Sequence, residues 1–221
     1  MIEVIKSLPR TACLASAMAV GGLAFSATAG AVSVELTGFR VKPAVKIDYD
    51  IGGESRNVNA GQFIGIKDGQ KAFFWCTEPL DPIEFGTAFE FEPQADHWDP
   101  VQAEDLGRLI TWTRSGDVDL KSAVVQAVLQ AAIWEIDEEA VGGPYSFSDG
   151  DAKFTSNNAA VQAALDAFDW TLLDNYETSV VVNLFSAEVQ DLLDIPVAEP
   201  GSLALLGLGL VGFGVARRRK V

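Results

Sequence analysis

The chain has 221 residues, of which 48% are hydrophobic and 21% charged, and its net charge is −15 at pH 7. This composition excludes a globally disordered chain and suffices for one sizeable domain or two small ones. Residues 32–200 hold ten basic and thirty acidic residues, a net charge of −20. Because so acidic a segment is repelled by nucleic acid and by anionic lipid headgroups, we expect no nucleic-acid partner.

Residues 1–31 have the pattern of a secretory signal peptide rather than of a buried N-terminal helix. Lys6 and Arg10 form a basic start, an uncharged run follows, and small residues surround two cleavage-like sites at Ala29 and Ala31. Cys13 lies in this leader, so Cys76 is the sole cysteine expected after processing. The pattern therefore predicts an exported protein without an internal disulfide.

The first part of the body is predicted to be β-structure. Apolar and polar residues alternate over 32–37 and 45–50, and glycines separate these runs from a third at 63–66. Residues 73–76 are apolar on both faces, which predicts a strand buried on both sides. Residues 83–91 are expected to form a further strand.

The middle of the chain changes to a helical pattern. We expect a short helix over 101–112 and a longer one over 120–136, with Asp119 as the candidate N-cap. Asn157 or Asn158 is expected to cap a third helix that runs to about Trp170, and residues 177–193 return to β character. This order predicts an α+β fold: a β-sandwich or barrel-like body over 32–196 with an inserted or packed helical part.

Residues 197–221 form a separate C-terminal module. An uncharged run rich in Leu and Gly, residues 203–216, precedes the basic cluster of Arg217, Arg218, Arg219 and Lys220. The run is short for a bilayer span, and the basic cluster is expected to stay on the cytoplasmic side. This layout predicts a short transmembrane helix that holds the protein transiently in the membrane, although an ordinary tail anchor is the alternative.

The same module closely resembles the PEP-CTERM sorting signal. Val197, Glu199 and Pro200 match its motif, with Ala198 at a position where proline is usual, and the Leu/Gly helix and the arginines follow in order. The resemblance implies an exosortase-like processing enzyme as a partner, which cleaves at or near the motif. It further implies release, or attachment at the surface or in the exopolysaccharide of a Gram-negative bacterium.

Cys76 and Gln130 are the candidate reactive pair of the body. Cys76 follows an aromatic run that includes Phe74 and Trp75, and Gln130 lies on the predicted long helix before Ile133 and Trp134. A thiol held against a carboxamide in a water-poor pocket can condense with loss of ammonia to an internal thioester. The four apolar residues named here are suited to form that pocket.

These two stretches resemble the thioester domains of bacterial surface proteins. In that family a cysteine on a strand is linked to a glutamine in a Gln-x-Ala-aliphatic-Trp motif, which Gln130, Ala132, Ile133 and Trp134 match, while Leu129 stands where many members have threonine. The resemblance implies single-turnover attachment, without enzymatic catalysis, to an amine-bearing protein or polysaccharide at the surface or in a biofilm matrix. Gln126, one turn earlier, is the competing partner for Cys76.

Two other functions remain open from the sequence. Cys76 alone is also compatible with a small buried residue of a structural matrix protein that keeps a free thiol. The body is also compatible with a carbohydrate-binding module that uses exposed Trp98 or Trp112. His97 is the only histidine, which excludes a His-based triad or a multi-His metal site, and we expect neither a metal nor another cofactor.

Overall fold

The computed structural model describes residues 30–79, 81–141 and 143–195. The predicted signal helix, the C-terminal transmembrane helix and the basic cluster lie outside these residues. Within the described part of the chain, no helix is both long and apolar enough to cross a membrane. The strands are, in chain order, β1 (Val32–Phe39), β2 (Val45–Ile51), β3 (Glu54–Ala60), β4 (Phe63–Lys67), β5 (Gln70–Cys76), β6 (Ala88–Gln94), β7 (Ala152–Thr155), β8 (Val182–Phe185) and β9 (Leu192–Asp194).

Six of these strands close into an antiparallel barrel in the order β1-β4-β5-β9-β8-β6. β2, β3 and β7 form a separate three-stranded sheet in the order β3-β2-β7. The helices are α1 (Pro100–Arg114), α2 (Ala123–Glu138) and α3 (Ala159–Asp166), followed by a 3₁₀ turn at Trp170–Asn175. The expected α+β class is therefore confirmed, with a closed barrel as the body.

Two hairpins are set by short turns with left-handed backbone. Gly52 and Gly53 have φ values of 59° and 86° between β2 and β3, and Asp68 and Gly69 have φ values of 48° and 79° between β4 and β5. Positive φ at both central positions of a two-residue loop matches the right-handed twist of the strands. These turns fix the pairing that brings Cys76 to the end of β5.

The helical part is an insertion between β6 and β8, and it includes β7. α2 is its centre, because it contacts the three-stranded sheet, β5 and both other helices. Every residue from Gln126 to Ile136 is buried. A helix that is buried on all sides belongs to the core, so α2 joins the barrel to the second sheet.

Several boundaries differ from the sequence predictions. Ser122, not Asp119, caps α2, because its hydroxyl accepts from Val125 N, whereas Asp119 accepts from Lys121 N in the preceding turn. The third helix ends at Asp166 instead of continuing to Trp170, and Asp169 caps the separate 3₁₀ turn. β6 begins five residues later than the strand expected from position 83.

Two further corrections concern the strands. Phe73 is 37% exposed, so the expectation that residues 73–76 are buried on both sides holds only from Phe74 onward. β7 was not predicted, although Ala152 to Thr155 alternate between buried and exposed positions. The run is four residues long, and its pairing with β2 compensates for the weak local signal.

Gly107 on α1 is expected to resist substitution by alanine. A methyl group there would collide with the main-chain oxygen of Ser179, whose N–H donates to Gly107 O at 3.2 Å. In a helix, alanine is more favourable than glycine by about 1 kcal/mol. We nevertheless expect Gly107→Ala to lower the free energy of unfolding by about 2 kcal/mol, because the contact between the two backbone segments must open. Urea denaturation measures the change in the free energy of unfolding. Unchanged or higher stability would show that residues 178–179 can move away from α1 at little energetic cost.

Candidate functional site around Cys76

Cys76 lies at the end of β5, beyond the point where the pairing of β5 with β4 stops. β5 pairs with β4 as far as Phe74, which faces Phe63, whereas Trp75 and Cys76 pair only with β9. The edge of β5 that faced β4 therefore has main-chain groups at Cys76 that need another partner, since buried peptide groups are nearly always hydrogen-bonded. α2 provides it.

The carboxamide of Gln130 forms two hydrogen bonds with the main chain of Cys76. Gln130 Oε1 accepts from Cys76 N at 3.2 Å, and Gln130 Nε2 donates to Cys76 O at 2.7 Å. Gln130 is 1% exposed and Cys76 is 2% exposed. The structure thus brings the carboxamide and the residue that carries the thiol together at a buried position.

Gln126 does not contact Cys76. Its Oε1 accepts from Gln62 N at 3.2 Å, and its Nε2 donates to Leu120 O at 2.7 Å. Both carboxamides lie on the face of α2 that covers the ends of β4 and β5, as expected for residues one helical turn apart. Gln126 bonds to loop residues, one of them directly before β4, and only Gln130 reaches Cys76.

Trp134 completes the contacts of the thiol. Its indole Nε1 donates to Cys76 Sγ at 3.3 Å, and the thiol lies 3.5 Å from Glu78 O, to which it can donate. The indole stacks on Phe154 with ring centroids 6.2 Å apart and packs against Tyr49 at 6.4 Å. The aromatic side chains from β2 and β7 therefore hold the indole in the orientation that directs its N–H to sulfur.

The other three predicted pocket residues are core residues. Phe74 and Trp75 are fully buried and Ile133 is 1% exposed. Trp75 points to the opposite side of β5 from Cys76, because neighbouring side chains alternate along a strand. Trp134 is the predicted pocket residue with a hydrogen bond to the sulfur atom, whereas Tyr49, Phe154 and Glu78 were not predicted from the sequence.

The electrostatic surroundings favour a neutral thiol. Burial raises the pKa of Cys76 well above its ordinary value, the Trp134 N–H opposes this by stabilising the thiolate, and the charge of Asp137 adds to the increase. Burial also raises the pKa of Glu78 to about 7 and that of Asp137 to about 6. Two carboxyl groups near the site can therefore gain or lose a proton close to neutral pH.

A cavity of about 300 Å³, which we call the Cys76 cavity, lies between this residue and the second sheet. Its lining includes Cys76 and Trp134 together with polar side chains from β2, β3 and the loop after β5, namely Lys46, Asn57, Asn59 and Asp81. The sequence gives no signal for this grouping, since its named members come from four separate segments, β2, β3, the end of β5 with its following loop, and α2. It offers a route by which a small nucleophilic group can approach Cys76.

The residues considered for other functions are placed elsewhere. Trp98 is 7% exposed and its indole N–H donates to Asp137, so it is not an exposed sugar platform. Trp112 is partly buried against Phe168. Across the described residues, no group of three or more His, Cys, Asp or Glu side chains is arranged to hold a metal ion.

Comparison with known families matches residues 196–220 to the PEP-CTERM protein-sorting motif. The match contains Val197, Glu199, Pro200 and the basic cluster from Arg217 to Lys220, all beyond the described residues. Neither the curated proteins nor the solved structures contain a match to the chain.

The chain therefore carries a PEP-CTERM sorting motif, which is the mark of an exported protein that an exosortase processes. The motif implies that the protein is anchored transiently in a membrane before it is sorted. The expectation of an exosortase-like partner and of export is supported by this match. The match does not extend to the barrel or to the site around Cys76.

Proposed function

We propose that this exported protein forms an internal thioester between Cys76 and Gln130 and uses it for covalent attachment at the cell surface or in the extracellular matrix. The observation that carries the proposal is the pair of hydrogen bonds, 3.2 and 2.7 Å long, between the Gln130 carboxamide and the Cys76 main chain. They hold an otherwise poor electrophile beside the only described cysteine. Such positioning can replace much of the barrier of a bimolecular reaction.

The condensation balances without any co-reactant. Cys76 Sγ attacks Gln130 Cδ, the S–C bond forms while the bond from Cδ to Nε2 breaks, and the thiol proton leaves with the nitrogen as ammonia. Negative charge develops on Gln130 Oε1, which already accepts from Cys76 N. A fixed N–H donor at a developing oxyanion stabilises the transition state. The Trp134 N–H stabilises negative charge that develops on sulfur.

The attachment step uses the thioester as an electrophile. A primary amine of the partner attacks Cδ, the C–N bond forms, the S–C bond breaks, and the amine proton passes to sulfur, which regenerates the thiol. The partner is a surface or matrix molecule, a protein or polysaccharide that bears such an amine, and the Cys76 cavity is its route of entry. Each molecule reacts once, so the protein acts as an attachment device and not as an enzyme.

The proposal is tested by the intact mass of the full chain after export, with its ends assigned by peptide mapping. We expect a deficit of one ammonia, and incubation with methylamine should add one methylamine and release one titratable thiol. Cys76→Ala and Gln130→Ala should abolish both changes. Gln126→Ala is the matched control, because this buried glutamine of the same helix face does not contact Cys76.

The main competing function is that of a structural matrix protein in which Gln130 only replaces the missing strand partner of Cys76. That function predicts full mass and a thiol that reacts with a disulfide reagent once the chain is unfolded at neutral pH. This result in the wild-type protein would refute the thioester. It does not depend on whether any variant folds.

A further inference from the structure

A second site lies on another side of the barrel, in a groove of about 640 Å³. We call it the cationic groove, because four basic side chains line it: Arg40, Lys67, Lys71 and Arg114. They are four of the ten Lys and Arg residues between positions 32 and 200. Two carboxylates, Asp68 and Asp194, also line it, so the groove carries a local charge of about +2 in a body whose net charge is −20.

Three of the four cations of the groove make contacts with neighbouring side chains, and only Lys67 is paired with a carboxylate. Phe73 makes cation–π contacts with two of them: the Arg40 guanidinium lies 4.7 Å and Lys71 Nζ 5.4 Å from its ring centroid. Arg40 Nη1 also donates to Gln62 Oε1 at 2.6 Å. Lys67 is paired with Asp194.

The remaining three cations, Arg40, Lys71 and Arg114, have no counter-ion in the described part of the chain. Among the residues that the structure describes, no carboxylate lies within ion-pair distance of Arg40, Lys71 or Arg114. The sequence contains three times as many acidic as basic residues between 32 and 200, so unpaired cations that share one groove are unexpected. An anionic ligand would supply the missing charge.

The shape and charge of the groove favour a narrow anionic chain over a flat anionic surface. The attraction of the groove acts over about 8 Å at physiological ionic strength. A bilayer would come close to the acidic remainder of the body and be repelled, whereas a single polymer can enter the concavity. The exposed amide of Gln70, between the cations, is suited to hydrogen-bond sugar hydroxyls.

We propose that the cationic groove binds an acidic polysaccharide, with the anionic groups of the sugars on Arg40, Lys71 and Arg114. A volume of this size lies in the range of sites that enclose ligands of several rings. Asp194 and Ile195 also line the groove, so a bound chain lies beside the residue that directly precedes the sorting motif. The site is independent of the proposed thioester and needs no covalent step.

The test is titration calorimetry on the full chain with polygalacturonate and dextran sulfate, and with neutral dextran as the reference. We expect binding to at least one acidic polymer, none to dextran, and weaker binding as salt is added. Binding of polygalacturonate identifies carboxylates as the recognised groups, and binding of dextran sulfate alone identifies sulfate esters. No binding to either polymer would overturn the proposal.

The variant Lys71→Gln/Arg114→Gln should weaken binding at least tenfold, since both side chains are exposed and each loses a charge-assisted contact. Lys153→Gln is the matched control, because it removes one exposed positive charge on β7, away from the groove, and should leave the affinity unchanged. Equal loss in the control would show non-specific attraction. Equally tight binding of poly-glutamate, or of phosphatidylglycerol vesicles, that disappears in the double variant would overturn the assignment to a polysaccharide.

Discussion

Trp134→Ala is expected to lower the free energy of unfolding by about 3 to 5 kcal/mol, the usual cost of removing a buried indole from a core. Trp134 is 1% exposed and its ring is enclosed by Phe154 and Tyr49, side chains of the second sheet. The cavity left behind would lie between α2 and that sheet, in a closely packed interior that relaxes only partially. Urea denaturation of the full chain measures the loss.

Trp134→Phe separates the packing of this residue from its hydrogen bond to sulfur. Phenylalanine retains most of the stack on Phe154 but removes the N–H that donates to Cys76 Sγ. We expect a smaller loss of stability, about 1 to 2 kcal/mol, together with a lower fraction of molecules that lack one ammonia. Trp112→Phe is the matched control, since Trp112 is only partly buried and packs edge-on against Phe168.

These variants distinguish two roles for Trp134. If Trp134→Phe loses stability but keeps the full ammonia deficit, the indole N–H has no part in thioester formation. If Trp134→Ala stays within about 1 kcal/mol of the wild type, the described packing around the indole is contradicted.

The protein is expected to lose stability as the pH rises from about 5 to about 8, and Glu135 is a principal cause. Glu135 is fully buried, its Oε1 accepts from Ser146 N at 2.6 Å, and its Oε2 has no hydrogen-bond partner among the described residues. Burial raises the pKa of Glu135 to about 7, the Ser146 N–H opposes the shift, and the charge of Glu139 adds to it. The folded chain therefore keeps a proton that the unfolded chain releases near pH 4.

The sign of the effect follows from proton binding. Between about pH 4 and pH 7 the folded state binds more protons than the unfolded state, so the free energy of unfolding falls as pH rises. Glu78 and Asp137 act in the same direction, because burial also raises their pKa values, to about 7 and about 6. The stabilisation is fully present below the unfolded pKa values and is lost as pH rises through the folded ones.

Glu135→Gln should remove part of this dependence. At pH 8 we expect the variant to be more stable than the wild type by about 1 to 3 kcal/mol, because it no longer places an ionised carboxylate in the core. Thermal unfolding between pH 5 and pH 8 measures both proteins. Glu90→Gln, at an exposed position of β6, controls for the general effect of lowering the negative charge. A wild-type melting temperature that rises over this interval would contradict the described burial of Glu135.

Local sequence signals were sufficient where short-range chemistry decides the structure. The alternation at 32–37 and 45–50 predicted β1 and β2, and the helical stretches predicted α1 and α2 with small errors at their ends. These errors have a local cause, since Asp119 and Ser122 are both good caps and each caps a turn. The exposure of Phe73 could not be read from the same signals, because it depends on which side of the barrel the helical insertion covers.

The sequence by itself determined the α+β class, the acidic exported character and the sorting motif, all of which depend on composition, short periods and the order of adjacent residues. The tertiary structure alone decided that Gln130 rather than Gln126 reaches Cys76, because one helical turn separates them and the choice depends on where β4 begins beside β5. It also decided which side chains line the cationic groove, whose residues are up to 155 positions apart in the sequence, from Arg40 to Ile195. Sites of this kind arise from long-range packing, and no local sequence pattern predicts which distant side chains will be in contact.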